Sequence, residues 1–282
     1  MKILDSKNCI IGEGPIWNAE KGRVYFTNGM GNEIRSVDLN TFETFIQPLE
    51  HGVAAIAFTK DNKMIVSKSD GPCILNDDGT TSPLYDPHRY TILHGNDAKV
   101  GPDGRFYVGT QSEQRLGLSD KINGKLYSID PNGTVKVVLD NMILSNGFDW
   151  SMDEKRVYHT DSDTHIIKEY DFNLLTGDFN YTGRFVEVPG VDGITIDKCD
   201  RLYAACWGKG KIEVIDTSTM TIVESILLPT STPASCCFAG RDLTQLVIVT
   251  ASYGVDLSQD TLAGNTFILD RKVGGRTPYL FG

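Results

Sequence analysis

Short apolar stretches alternate along the whole chain with polar turns built from Asp, Asn and Gly. One unit recurs six times: an apolar run, a polar turn, then a run rich in Val, Ile, Tyr, Phe and Thr. The turns are Asn18 to Gly22, Lys60 to Lys63, Pro102 to Gly104, Met152 to Lys155, Lys198 to Asp200 and Gly240 to Asp242. Such residues supply the tight backbone a hairpin needs, and β-branched and aromatic runs suit half-buried strands. The first apolar residues of the runs are Val24, Met64, Phe106, Val157, Leu202 and Leu246, separated by 40, 42, 51, 45 and 44 positions.

A period near 40–50 made of strands and turns is the signature of propeller blades. Four copies continue into a third run that ends on Asp, at Asp38, Asp130, Asp171 and Asp216, and the last copy ends on Asp270. No long segment keeps a 3.6-residue apolar period, which excludes a helical reading. The pattern predicts an all-β fold: a six-bladed β-propeller of four-stranded antiparallel blades, with residues 1–282 as a single domain. Open blades leave sheet edges, so the ring must close. The expected closure places the segment before Gly12 and the tail Thr277 to Phe281 in one shared blade.

Propeller geometry brings the residues that lead into the innermost strands together at one mouth. Ten or eleven positions before each run stand Glu13, Val53, Asn96, Asn146, Asp192 and Ser235. Two carboxylates, two amides and a hydroxyl in a ring form a hard-oxygen site suited to Ca²⁺, Mg²⁺ or Mn²⁺, with Zn²⁺ admissible. A cation also accounts for buried acids. Ordinary turn capping by Asn-Gly and Asp-Gly is the competing explanation for any one of these residues. Val53 marks blade two as wall.

Composition narrows the partners. Lys and Arg number 27 against 37 Asp and Glu, a net charge of −10, which disfavours nucleic acid and anionic membranes. No apolar run approaches a membrane span, and Met1-Lys2-Ile3-Leu4-Asp5 shows no signal-peptide core, so a cytoplasmic monomer acting on a small molecule is expected. The six cysteines have no zinc-finger spacing and read as buried reduced thiols, with Cys236 and Cys237 on opposite faces of a strand. No nucleophile elbow, P-loop or dinucleotide fingerprint occurs. Asp161-Ser162-Asp163 opens like a calcium loop, but Ile166 and Phe172 stand where Gly and Glu are required.

Five ordered motifs then carry a resemblance. Ile11-Gly12-Glu13-Gly14-Pro15-Ile16-Trp17, Asn96-Asp97-Ala98-Lys99-Val100, Ser145-Asn146-Gly147-Phe148-Asp149-Trp150, Asp192-Gly193-Ile194-Thr195-Ile196-Asp197 and Ser235 to Gly240 stand in this order. From about Gly12 to Gly282 the chain resembles the family of senescence marker protein (regucalcin), gluconolactonase and luciferin-regenerating enzyme. That resemblance implies a six-bladed propeller and a divalent-metal-dependent lactonase converting an aldonolactone to its aldonic acid. It implies Glu13, Asn146 and Asp192 as metal ligands and Asn96 as a substrate contact. Where the family often carries Arg, two positions before that Asn, this chain has His94. Where regucalcin-like members carry a substrate-binding Glu, it has Gln114, preceded by Glu113. Asp192 is the candidate general base, with a metal-coordinated water as the alternative nucleophile. Trp207 and Phe148 are candidate apolar walls. The rival functions are a non-catalytic calcium-binding regulatory protein and a hydrolase of non-sugar lactones or phosphoesters.

Overall fold

Each polar turn closes a hairpin, and in all six a residue takes the left-handed backbone that the reversal demands: Gly22 (φ 63°), Asn62 (φ 62°), Gly104 (φ 75°), Glu154 (φ 60°), Asp200 (φ 55°) and Gly240 (φ 85°). The computed structural model describes residues 1–76 and 78–282. The chain opens with β1 (Lys2–Asp5) and then builds blades in order. Blade one holds β2 (Gly12–Asn18), β3 (Arg23–Asn28), β4 (Glu33–Asp38) and β5 (Thr44–Pro48). Blade two holds β6 (Val53–Phe58), β7 (Met64–Lys68), β8 (Cys73–Leu75) and β9 (Thr81–Pro83). Blade three holds β10 (Gly95–Val100), β11 (Phe106–Thr110), β12 (Gly124–Ile129) and β13 (Val135–Met142). Blade four holds β14 (Ser145–Trp150), β15 (Arg156–Asp161), β16 (Ile166–Phe172) and β17 (Phe179–Glu187). Blade five holds β18 (Val191–Ile196), β19 (Arg201–Cys206), β20 (Lys211–Asp216) and β21 (Thr221–Leu227). Blade six holds β22 (Pro233–Ala239), β23 (Gln245–Thr250) and β24 (Thr266–Asp270), with β1 as its outermost strand.

These are six four-stranded antiparallel sheets in a six-bladed propeller, as the repeat predicted. The recurrent runs are the second strand of every blade. Val24, Phe106, Val157, Leu202 and Leu246 are fully buried between blades, which is why the period shows in the sequence. The outermost strands are largely exposed, as in β21, and carry little pattern.

Closure differs from the expectation in one half. The N-terminal strand does complete the last blade, pairing Lys2 with Ile268 and Asp5 with Thr266. Buried Arg35 of blade one locks the seam by reaching Asp5 at 3.4 Å and Glu33 at 2.8 Å. The tail Thr277 to Phe281 is not part of that blade. It crosses the face opposite the mouth. Phe281 exchanges backbone bonds with Phe58 and Lys60 at 2.9 and 3.1 Å, and the Gly282 N–H reaches the Gly104 carbonyl at 3.2 Å. Tyr279 donates its hydroxyl to Glu154 at 2.7 Å. The tail thus makes one isolated parallel bridge, Thr59 to Phe281, rather than a ladder, and Pro278 has no N–H to extend one.

Five cysteines are buried, but Cys199 is exposed in the turn before β19, which corrects the uniform burial expected. The Asp161 carboxylate accepts the N–H groups of Ile143 and Leu144, both at 2.9 Å, so Asp161-Ser162-Asp163 caps a connection rather than cradling an ion. Among the described residues no helix is long and apolar enough to cross a membrane.

Candidate metal and active site

The mouth residues owe their direction to a repeated defect. Every innermost strand carries one extra residue near its start: between Glu13 and Ile16, Val53 and Ala55, Gly95 and Ala98, Ser145 and Phe148, Val191 and Ile194, and Pro233 and Ser235. A bulge unpairs the strand locally and re-aims its side chains. Glu13, Asn96, Asn146 and Asp192 are each the second residue of an innermost strand, not ahead of it. Their blades crowd together behind them. A Cβ on Gly147 would stand 2.4 Å from the Asp192 carbonyl oxygen, and one on Gly193 would stand 2.1 Å from Ser235 Oγ. Only glycine permits that approach at these two positions.

Asn146 and Asp192 are buried, and Glu13 and Asn96 half-buried. The Asn146 amide donates to Asp192 Oδ1 across the blade four–five seam. The Asn96 amide donates to the Ser145 carbonyl at 3.1 Å across the blade three–four seam. Ser145 Oγ lies 2.8 Å from His159 Nε2, and burial, with Lys168 adding to it, drives the His159 pKa down to about 3. His159 is thus a neutral core imidazole.

The acids strain against each other. Burial pushes the Glu13 carboxyl well above its ordinary range, and the nearby Asp192 and Asp97 push further. Burial and Asp97 likewise push Asp192 upward, against the Asn146 hydrogen bond and the Arg115 charge. Asp97 is raised by burial, with Lys99 opposing. Among the described residues no three His, Cys, Asp or Glu side chains form a ready-made cage. The donor set is instead two carboxylates with amide oxygens, all hard ligands. Asp192 Oδ2 and Asn146 Oδ1 have no protein donor among the described residues. A divalent cation fits this set, since it would relieve the repulsion that the carboxyls now meet.

The expected substrate contacts lie on adjoining loops. His94 sits in left-handed backbone (φ 61°) just before β10, its N–H on the Ser69 carbonyl at 2.6 Å. Glu113 accepts Ser119 Oγ at 2.6 Å and Asn123 Nδ2 at 3.0 Å. These two donors, then Lys121 and His94, hold its carboxyl below the usual range. Gln114 follows on the exposed side of that loop, and Val53 and Ser235 are buried at the mouth. Trp207 is half-buried beside Gly190 and remains available as a wall. Phe148 does not: it is fully buried, its ring 5.7 Å from Trp150 and 6.1 Å from His159. The bulge reverses the alternation after Asn146 and turns Phe148 into the blade.

Sequence reasoning passed over Asp97, Lys99, Arg115, Asp149 and Arg276. Asp97 occupies the place where the other three motifs have Gly14, Gly147 and Gly193, a break in the repeat that was visible. Arg115 left no such sign. It grips Asp163 at 2.9 and 3.2 Å, bridging the loops of blades three and four.

With this geometry in place, comparison with known proteins gives three results. The family profile described as "SMP-30/Gluconolactonase/LRE-like region" matches residues 11–252. Regucalcin of Oryctolagus cuniculus is 28% identical over 288 residues, covering 98% of this chain and 96% of that protein. A Bacillus subtilis (strain 168) protein provisionally named sugar lactone lactonase YvrE is 29% identical over 282 residues, covering 97% and 95%. Among solved structures, a calcium-binding protein, regucalcin, from Agrobacterium tumefaciens superposes with a TM-score of 0.88 at 21% identity, covering 100% of this chain and 97% of that one.

Proposed function

The chain belongs to the SMP-30/gluconolactonase/LRE-like family, and from that premise we propose that it is a divalent-metal-dependent sugar lactonase that opens an aldonolactone to the aldonic acid. The observation that carries this reading is the convergence of Glu13, Asn146 and Asp192 at one mouth, two mutually repelling acids and an amide with free oxygens. The lactonase name of a relative matched over nearly its whole length supports the substrate class.

Glu13, Asn146 and Asp192 would hold the ion, and when bound it would supply Lewis-acid polarisation of the lactone carbonyl. Asn146 fixes Asp192 by engaging Oδ1, which leaves Oδ2 to accept a proton from the attacking water. The water oxygen bonds to the carbonyl carbon, the bond from that carbon to the ring oxygen breaks, and the Asp192 proton passes to the departing ring oxygen. Asn96 donates its amide N–H to Ser145, so its Oδ1 would be the atom left to meet a substrate hydroxyl. His94, Glu113 and Gln114 stand on the loops where further hydroxyls would be read.

The test is acid release. Protein stripped with chelator is given glucono-, xylono-, arabinono- and galactonolactone singly, with and without Ca²⁺, Mg²⁺, Mn²⁺ or Zn²⁺. Metal-dependent acid production above spontaneous hydrolysis supports the reading. Metal binding without turnover of any lactone would replace it with the calcium-binding one.

A further inference from the structure

Beneath the mouth the six innermost strands form a second ring, three residues further on: Ile16, Ile56, Lys99, Asp149, Thr195 and Phe238, lining a cavity of about 70 Å³. Half of this ring is apolar. The polar half belongs to β10, β14 and β18, the strands that carry Asn96, Asn146 and Asp192. Lys99 Nζ donates to Asp149 Oδ2 at 3.0 Å and to the Ile194 carbonyl at 3.1 Å. Thr195 Oγ1 reaches the same carboxylate oxygen at 3.4 Å. The other oxygen of Asp149 takes Arg276 Nη2 from the tail and the Trp150 N–H at 2.9 Å. Arg276 Nη1 also reaches the Ser151 carbonyl at 3.3 Å.

These three strands belong to different blades and share no ladder. Each is locally unpaired by its bulge at the mouth end, so contacts between blades set their separation there: the close backbone approach at Gly147 for β14 and β18, and the side chains of the second ring for all three. We propose that Lys99, locked by Asp149 and through it by Arg276 of the C-terminal tail, is a positioning residue that fixes the spacing of Asn96, Asn146 and Asp192. Burial would raise the Asp149 carboxyl, but Lys99 and Arg276 outweigh it and keep it below its ordinary value, consistent with a fully ionised linkage. Asp149 is buried while Lys99 and Arg276 are half-buried, and a buried carboxylate tolerates the loss of a cationic partner poorly. The catalytic consequence rests on the lactonase reading; the mechanical one does not.

The experiment compares Lys99→Met, Lys99→Arg and Arg276→Gln with the parent protein. Hydrogen exchange followed by mass spectrometry reads the mouth segments 95–98, 145–148 and 191–194, and calorimetric titration of the chelator-stripped protein reads Ca²⁺ affinity. Lys99→Met is expected to speed exchange in all three segments at least tenfold, with blades one and two unchanged, and to weaken Ca²⁺ binding at least tenfold. Its kcat should fall more than KM rises. Lys99→Arg should restore most of both, and Arg276→Gln should act in the same direction more weakly. Faster exchange confined to β10, or spread evenly over all blades, would overturn the proposal, as would unchanged Ca²⁺ affinity where the parent binds Ca²⁺. If the parent binds no Ca²⁺ and turns over no lactone, the lactonase reading falls and the exchange pattern alone decides. Should Lys99→Met fail to fold, the same three segments in Arg276→Gln decide it.

Discussion

Asn146 and Asp192 sit on neighbouring blades, 46 positions apart in the chain, and their side chains are joined by one hydrogen bond from amide to Oδ1. Asp192→Ala removes both the candidate base and a candidate metal ligand. Its kcat is expected to fall by about 10²–10⁴, the usual worth of general-base catalysis, with the melting temperature retained. Asn146→Ala should instead act first on metal affinity. Turnover by Asp192→Ala at the parent rate would refute the assignment.

The repulsion around Glu13 has a cost in the metal-free protein. Glu13→Gln keeps the shape and removes one charge. Its melting temperature without metal is expected to rise by about 3 °C, corresponding to roughly 1 kcal/mol in a chain of this size. The parent should gain stability on adding Ca²⁺ to 100 times its Kd, by about 2.7 kcal/mol. The variant should gain little. Thermal scans with and without the ion check both halves.

His159 gives an acid limb. Its pKa is near 3 in the fold against 6.5 for the ordinary group, because burial disfavours the charged form. Between those values the unfolded chain binds more protons, so stability falls as pH drops from about 6.5 toward 3, at no more than about 1.4 kcal/mol per pH unit. Above 6.5 this contribution is complete and flat. Urea midpoints from pH 7 to 4 should show a shallower loss in His159→Gln than in the parent; parallel curves would discount His159.

Gly147 sets how closely blades four and five approach. An added methyl would meet the Asp192 carbonyl oxygen at 2.4 Å and the Ile194 nitrogen at 2.6 Å, both backbone atoms that cannot swing aside. Gly147→Ala is therefore expected to cost about 1–3 kcal/mol through overpacking. Denaturant unfolding measures it.

The tail can be tested through Phe281, which is only 9% exposed and packs against the blade two–three core. Phe281→Ala should cost about 3 kcal/mol, near the lower limit for a buried aromatic truncated to Ala. Full stability in that variant would show the tail to be an accessory.

The repeat was legible because burial imposed it. Val24, Phe106, Val157, Leu202 and Leu246 are each pressed between two blades, so each must be apolar at one phase. Glu13, Asn96, Asn146 and Asp192 were legible for a related reason, since the same bulge recurs in every inner strand and puts them in step. Phe148 misled because that bulge adds one residue, and simple alternation then assigns the wrong face. The tail misled because its anchors are Arg276 on Asp149, Tyr279 on Glu154 and single backbone bonds at Phe281 and Gly282, contacts that leave no period in a sequence. Arg115 reaches Asp163 across 48 positions, and nothing local announces it.

The pairing of β1 with β24 has a consequence for biosynthesis. The first strand of the propeller is completed by its last. At roughly 5–20 residues per second, β1 leaves the ribosome on the order of 15–50 s before its partner exists. Throughout that interval the nascent chain carries β1 as an orphan strand and, later, an unsealed edge on blade six. Blades one to five can each form from contiguous sequence, but ring closure is a long-range event that loop entropy makes slow. The vulnerable species is thus an open arc, and its cure is the arrival of the five residues Thr266–Asp270.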